Sequence, residues 1–259
     1  MTLDTSRSET SPKTLVIKAI DELFVNLQPD AVYRHWAEGF RQHSPLVSDG
    51  REGLRTTIVQ LSTLGFRYRM VRVLGDGQWV VLHSHGGGVS QPFSVCNLLR
   101  VEGDRLAEHW EVVQPLVTDT VSGHGMLDGP TEVTDLERTD DNRELVRGLV
   151  DKVLVGGELA ALDGYLDGGS FIQHSPEVAD GAAAMRDWLA QGPRRYERFD
   201  LMIAEGNFVW VQCAGTVDGR PHVLNDLFRV ADGKIVEHWD VIGEVPTQLP
   251  HNNSLFATF

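Results

Sequence analysis

The sequence predicts an α+β protein made of two tandem copies of one domain. Three observations carry this: an internal repeat, a helices-then-strands order inside each repeat, and a length that suits two cores. Residues 40–55 (FRQHSPLVSDGREGLR) lie over 171–186 (FIQHSPEVADGAAAMR), with nine of sixteen positions identical. Residues 97–112 (NLLRVEGDRLAEHWEV) lie over 226–241 (DLFRVADGKIVEHWDV), with seven of sixteen identical. The pairs LGDGQWVV and IAEGNFVW, then SGHGML and HNNSLF, keep the same spacing of near 130 residues. That period is too long for a solenoid and marks a duplicated domain. The 259 residues suffice for two units of about 120 residues, each with its own core. The expected divisions are a disordered tail over 1–11, copy one over 12–130 and copy two over 131–259.

Each copy reads in the same order. An apolar-faced helix over 14–27 carries Leu15, Ala19, Leu23 and Leu27 on one side, and 143–155 is its counterpart. Pro29-Asp30 starts a second, short helix. Pro45 and Pro176 stop any helix at the QHSP segment. Asp49-Gly50 and Asp180-Gly181 turn into a third helix. Strands are then expected over 67–74, 79–84, 92–101 and 105–113, joined by Gly75-Asp76-Gly77 and Glu102-Gly103-Asp104 turns. Residues 118–142, rich in Gly, Thr and Asp, read as a linker whose first part goes with copy one.

Composition narrows the function classes. Hydrophobic residues at 41% and charged residues at 23% exclude a disordered chain. No stretch reaches the roughly 18 apolar residues of a membrane span, and residues 1–11 lack the apolar core of a secretory signal. A net charge of −14 argues against nucleic acid and anionic lipid as partners. Cys96 and Cys213 sit in apolar, strand-like runs and read as free buried thiols in a reducing cytoplasm.

The order QHSP…DG, a strand, (N/D)-L-(L/F)-R-V and E-H-W-(D/E)-V resembles the SnoaL-like polyketide cyclase family, within the nuclear-transport-factor-two-like superfamily. The resemblance covers about residues 15–256. It implies cone-shaped α+β barrels, each a curved, mostly antiparallel sheet wrapped by N-terminal helices around an apolar pocket. It also implies sheet-to-sheet pairing, so the fused copies are expected to form an internal pseudo-dimer, with further homo-oligomerisation left open. The superfamily includes aldol-type cyclases, ketosteroid isomerases, epoxide hydrolases, dehydratases and binding proteins, so the site has to decide the function.

Strand alternation sorts the candidate residues. Trp79, Val81, His83 and His85 share one face, and Phe93, Val95, Asn97 and Leu99 share another. The copy-two equivalents are Phe208, Trp210, Gln212 and Ala214, then Leu224, Asp226, Phe228 and Val230. The resemblance implies a catalytic His and Asp on adjacent strands. His83 and Asn97 stand 14 apart, as do Gln212 and Asp226. Copy one thus offers the His with Asn, and copy two the Asp with Gln. A carboxylate walled by Phe208, Trp210, Leu224 and Phe228 is desolvated, which suits abstraction of a proton α to a carbonyl. Gln212 would donate to the enolate, with His238 as a second polar helper and Trp210, Phe228 and Trp239 shaping the pocket. The bland alternative pairs Asp226 with Arg229 or Arg198.

His43 and His174 of QHSP, and His109 and His238 of EHW, occur in both copies and serve either folding or substrate binding. Along the EHW strand, His109 and Glu111 (His238 and Asp240 in copy two) point one way, and Trp110 (Trp239) points the other. Only one set faces the pocket. His83 and His85, completed by His43 or His109, resemble a metal grip. No metal is expected, because Gln212 and Ala214 remove it from copy two and ligand count is demanding. Gly86-Gly87-Gly88 precedes no helix and is no phosphate loop. The expected function is cofactor-free acid/base catalysis, a cyclisation or isomerisation of an apolar carbonyl compound such as a polyketide. The alternatives are a non-catalytic small-molecule binder and an epoxide-hydrolase-like enzyme using Asp226 with Arg198.

Overall fold

The computed structural model describes residues 11–257. The expected tail therefore lies outside the described residues except for Ser11, whose hydroxyl accepts the Thr14 amide and caps the first helix. That helix, α1 (Pro12–Ile20), begins with proline in its first turn, where no amide donor is needed. It widens into one π turn (Asp21–Val25) and ends short of residue 27, where Leu27 takes a positive φ of 50°. Next come α2 (Ala31–His35), β1 (Trp36–Gln42) and α3 (Gly50–Thr63). β1 is an addition to the expected elements, since its sequence WAEGFRQ alternates poorly. Asp49 caps α3 and also accepts the Gln42 amide (2.8 Å), which fixes the QHSP loop between β1 and α3.

Four longer strands follow: β2 (Arg67–Asp76), β3 (Trp79–Gly87), β4 (Phe93–Glu102) and β5 (Arg105–Pro115). The sheet order is β1-β5-β4-β3-β2, with β1 parallel to β5 and the rest antiparallel. Copy two repeats the plan with α4 (Thr139–Leu149), β6 (Ile172–Gln173), α5 (Ala182–Gln191), β7 (Arg194–Glu205), β8 (Phe208–Val217), β9 (Arg220–Ala231) and β10 (Lys234–Glu244). Its order is β6-β10-β9-β8-β7. The molecule is α+β, with two five-stranded mixed sheets.

Three cores hold it together. In copy one, Val16, Ile20 and Leu23 pack on Val80, Leu82, Leu99 and Val101 of the sheet's inner face. In copy two, Val146, Val150 and Val153 pack on Val209, Val211, Leu224 and Phe228. The outer faces meet each other: Cys96, Leu98, Trp110 and Val112 lie against Trp210, Leu227, Trp239 and Val241. The two copies therefore form an internal, sheet-to-sheet pseudo-dimer. Where β2 meets β7, two matching ion pairs clamp the copies, Lys13–Glu205 and Arg143–Asp76, both at 2.7 Å.

The segments that follow each sheet exchange partners. The stretch after β5 lies on copy two, where Val121 donates to Pro176 O (2.9 Å) and Gly125 O meets His174 Nδ1 (2.8 Å). The C-terminal stretch lies on copy one, where Ser254 O meets His43 Nδ1 (2.6 Å) and Asn253 donates to Gln42 O (2.9 Å). The first part of the linker thus packs on the opposite copy from the one expected. Cys96 and Cys213 are free and buried, and burial pushes the Cys96 thiol up to about 12. Among the described residues, no helix is long and apolar enough to cross a membrane.

Candidate active site

The cone of copy two encloses a polar cluster on an otherwise apolar face. β9 and β10 pair Asp226 with Asp240 and Phe228 with His238, so all four side chains point inward. β7 adds Arg194 and Tyr196 at the open end of the sheet. Asp226 Oδ1 is 2.9 Å from His238 Nε2 and accepts the Tyr196 hydroxyl at 2.9 Å. His238 Nδ1 is 2.8 Å from Gln173 Oε1, whose identity as the amide oxygen is fixed because it also accepts the Ser175 N–H. Nδ1 must therefore donate, and the contact at Nε2 holds one more proton between His238 and Asp226. The ring stacks on Phe228 at 4.8 Å.

Arg194 completes the cluster. Its Nη1 lies 2.7 Å from Asp240 Oδ2 and 4.0 Å from Asp226 Oδ1, and its guanidinium sits 4.9 Å from the Trp188 ring of α5. Burial alone would push the Asp240 carboxyl up, but Arg194 and His238 hold it below the usual range. Burial and the Asp226 charge raise the Tyr196 phenol well above its ordinary value, so it stays a hydrogen-bond donor. Within the cluster, Asp226 Oδ2, Arg194 Nε and Asp240 Oδ1 are buried without a protein partner, and Asp240 Oδ2 has only its ion pair with Arg194. Such orphans cost about 1–3 kcal/mol each and call for an explanation. The cluster is closed, with Asp226 and His238 0% and 1% exposed.

Copy one has the same layout with different chemistry. Asn97 stands where Asp226 does, donating to Tyr68 (2.9 Å) and meeting His109 Nε2 through Oδ1 (2.8 Å). Burial drives His109 down to about 3, so its ring is neutral. Glu111 takes the place of Asp240, and Phe66, just before β2, takes that of Arg194.

Several sequence expectations are corrected. His83 and Asn97 are on opposite faces, since β3 and β4 pair His83 with Cys96. Gln212 pairs with Asn225 and Val211 with Asp226, so Gln212 faces the other copy and cannot assist Asp226. Its Oε1 accepts the Ala257 amide (2.8 Å). His83 is buried between the copies, where Nε2 meets Ser94 Oγ (3.0 Å) and Arg72 approaches Nδ1 (3.3 Å). His85 is half-buried on that same face. Trp110, Trp210 and Trp239 belong to the interface core, and Trp79 packs against it, so none lines a cone. Of the expected aromatic walls only Phe228 is inside. His43 and His174 stack on Trp110 (4.2 Å) and Trp239 (4.7 Å), and face Glu108 and Glu237 (2.9 and 2.8 Å). They anchor the exchanged segments rather than a substrate. Arg229 binds Glu237 and Arg198 binds Asp200, leaving neither for Asp226. Among the described residues, no group of three or more His, Cys, Asp or Glu is placed to hold a metal ion.

The sequence reading missed Arg194, Tyr196 and Gln173. A signal existed for Tyr196: it aligns with Tyr68 once one extra residue in β7 is allowed. Two clefts of about 610 and 520 Å³ lie on copy one beside Arg41 and Arg100 and do not reach Asp226.

Two helix-wrapped cones, each with an inward His beside an Asp or Asn, define a tandem α+β barrel. Residues 17–109, within copy one, match the model of the SnoaL-like domain family, and copy two repeats the topology of copy one strand for strand. Three solved structures similar to this chain each match less than half of it. An M. tuberculosis LEH-like epoxide hydrolase is 18% identical, covering 41% of this chain and 85% of its own, with a TM-score of 0.35. An NTF2-like protein of unknown function from Cytophaga hutchinsonii is 15% identical over 42% and 95%, with a TM-score of 0.36. TsrD from Streptomyces laurentii is 13% identical over 42% and 92%, with a TM-score of 0.36. No curated protein matches the chain by sequence.

Proposed function

We propose that copy two is a cofactor-free acid/base catalyst, moving a proton on a largely apolar, carbonyl-containing small molecule in a cyclisation or isomerisation. One observation carries this reading: Asp226 is held by Tyr196 and His238 through Oδ1 alone, leaving buried Oδ2 free to take a proton. His238 stores the proton that Asp226 gives up or receives, and Gln173 keeps the ring oriented. Tyr196, held neutral, spends its one O–H on Asp226 Oδ1, so Arg194, whose buried Nε has no partner, is the donor available to a developing enolate oxygen. Copy one lacks a proton-exchanging group at Asn97 and serves as scaffold for this site. The reading places the protein in a reducing compartment, consistent with two free buried thiols.

The test is solvent deuterium exchange into linear and polycyclic β-keto compounds. Wild type is expected to exchange, Asp226→Asn is expected not to, and His83→Ala is expected to retain exchange. Exchange that survives in Asp226→Asn overturns the assignment. A second reading, hydrolysis, is favoured by Arg194 lying between Asp240 and Asp226. Labelled solvent oxygen entering the product of an epoxide substrate would select it over proton transfer.

A further inference from the structure

The two copies meet along two seams that the repeat makes equivalent, yet the seams differ. At one, the Gln114 side chain fills the gap and its Oε1 accepts the Ile242 amide (3.0 Å). Gly243 holds the equivalent position at the other, so no side chain enters. A Cβ there would come within 2.9 Å of Val112 Cγ1. A cavity of about 240 Å³ remains, lined by Pro45, Leu46, Glu111, Val113, Val223 and Leu255.

The acid in this cavity lacks a counterion. Its copy-two equivalent, Asp240, has the Arg194 guanidinium at 2.7 Å. Phe66 replaces that arginine in copy one, and among the described residues Glu111 makes no ion pair. Its one hydrogen-bond partner there is Ser44, which donates to Oε1 at 2.7 Å. Burial pushes the Glu111 carboxyl up. The rim adds a second acid, Glu244, 3.4 Å from Arg220.

We propose that the Glu111 seam cavity is a binding site for a small organic ammonium ion, with its apolar body against Leu46, Val113 and Leu255 and its N–H donors on Glu111. In copy two the equivalent acid carries a cation, Arg194, which reaches it from inside the cone, whereas Glu111 has none and lines the seam cavity. The volume is below the about 300–1,000 Å³ of drug-sized sites, which limits the ligand to the size of a six-carbon amine. The net charge of −14 draws cations toward the surface. This site is separate from Asp226 and does not depend on its role.

The test is calorimetric titration with cyclohexylammonium, using cyclohexanol as its neutral match. Wild type is expected to bind the ammonium at least about tenfold more tightly than the alcohol. Glu111→Gln keeps the shape and can still accept from Ser44, and is expected to erase that preference. Leu46→Trp, at an exposed rim position away from the buried network, is expected to weaken both ligands. Three results would each overturn the proposal: equal affinities in wild type, a preference that survives Glu111→Gln, or no ammonium binding at millimolar concentration.

Discussion

At the residue scale the proposed chemistry rests on a single carboxylate and its proton partner. Replacing Asp226 by Asn keeps the hydrogen-bonding shape and removes the proton acceptor. The rate of α-proton exchange is then expected to fall by about 10²-fold or more. His238→Gln is expected to cost a similar factor, while Tm reports whether the cone stays folded. Asp226 was legible in the sequence as a polar group in an apolar strand, with His238 as one of its helpers, but the side to which Gln212 points was not. Both faces of β8 are buried, one by Val209, Val211 and Cys213 and the other by Phe208 and Trp210. Alternation in such a strand carries no sign, so which set faces inward cannot be read from it. Hairpin register decides, and it separates Gln212 from Asp226 while bringing His238, twelve residues on, to 2.9 Å.

At the element scale the exchanged segments bind the copies more intimately than the sheet faces alone. The C-terminal stretch satisfies His43 through Ser254 O, caps the Ser44 carbonyl through His251, and fills Gln212 through the Ala257 amide. A chain ended after residue 250 would leave these groups unpaired and Trp110 less covered. Its tryptophan emission is expected to shift to the red and its Tm to fall by several degrees, with an unchanged spectrum counting against the anchoring role. The echo between SGHGML and HNNSLF identified these segments as one repeated element. It could not show that each lies on the other copy, because a repeat fixes what a segment is and not what it packs against. The parallel strand β1 escaped for a related reason. Only its pairing with β5 makes it a strand, and WAEGFRQ has no period of its own.

At the scale of the whole molecule, buried neutral histidines couple folding to pH. His83 between the copies and His109 inside copy one are both driven down to about 3, chiefly by burial, with Arg72 pressing further on His83. In the unfolded chain each takes a proton near pH 6.5. Between those limits the unfolded state binds more protons, so stability is full above about 6.5 and is lost as pH falls. Each histidine contributes up to about 1.4 kcal/mol per pH unit. Glu111 acts in the opposite sense: its raised carboxyl adds stability at low pH that disappears as pH rises through its folded value. Asp240 and Glu237, held low by their cations, lose stability only as pH falls below the ordinary carboxylate range. The window between pH 6.5 and 5 therefore belongs mainly to the histidines. Tm measured across it is expected to fall steadily in wild type. In His83→Gln the absolute Tm will change with the lost Ser94 and Arg72 contacts, but the slope is the informative quantity. It is expected to shrink by the share of one proton, and a slope identical to that of wild type would show that His83 titrates normally and is not sealed between the two sheets.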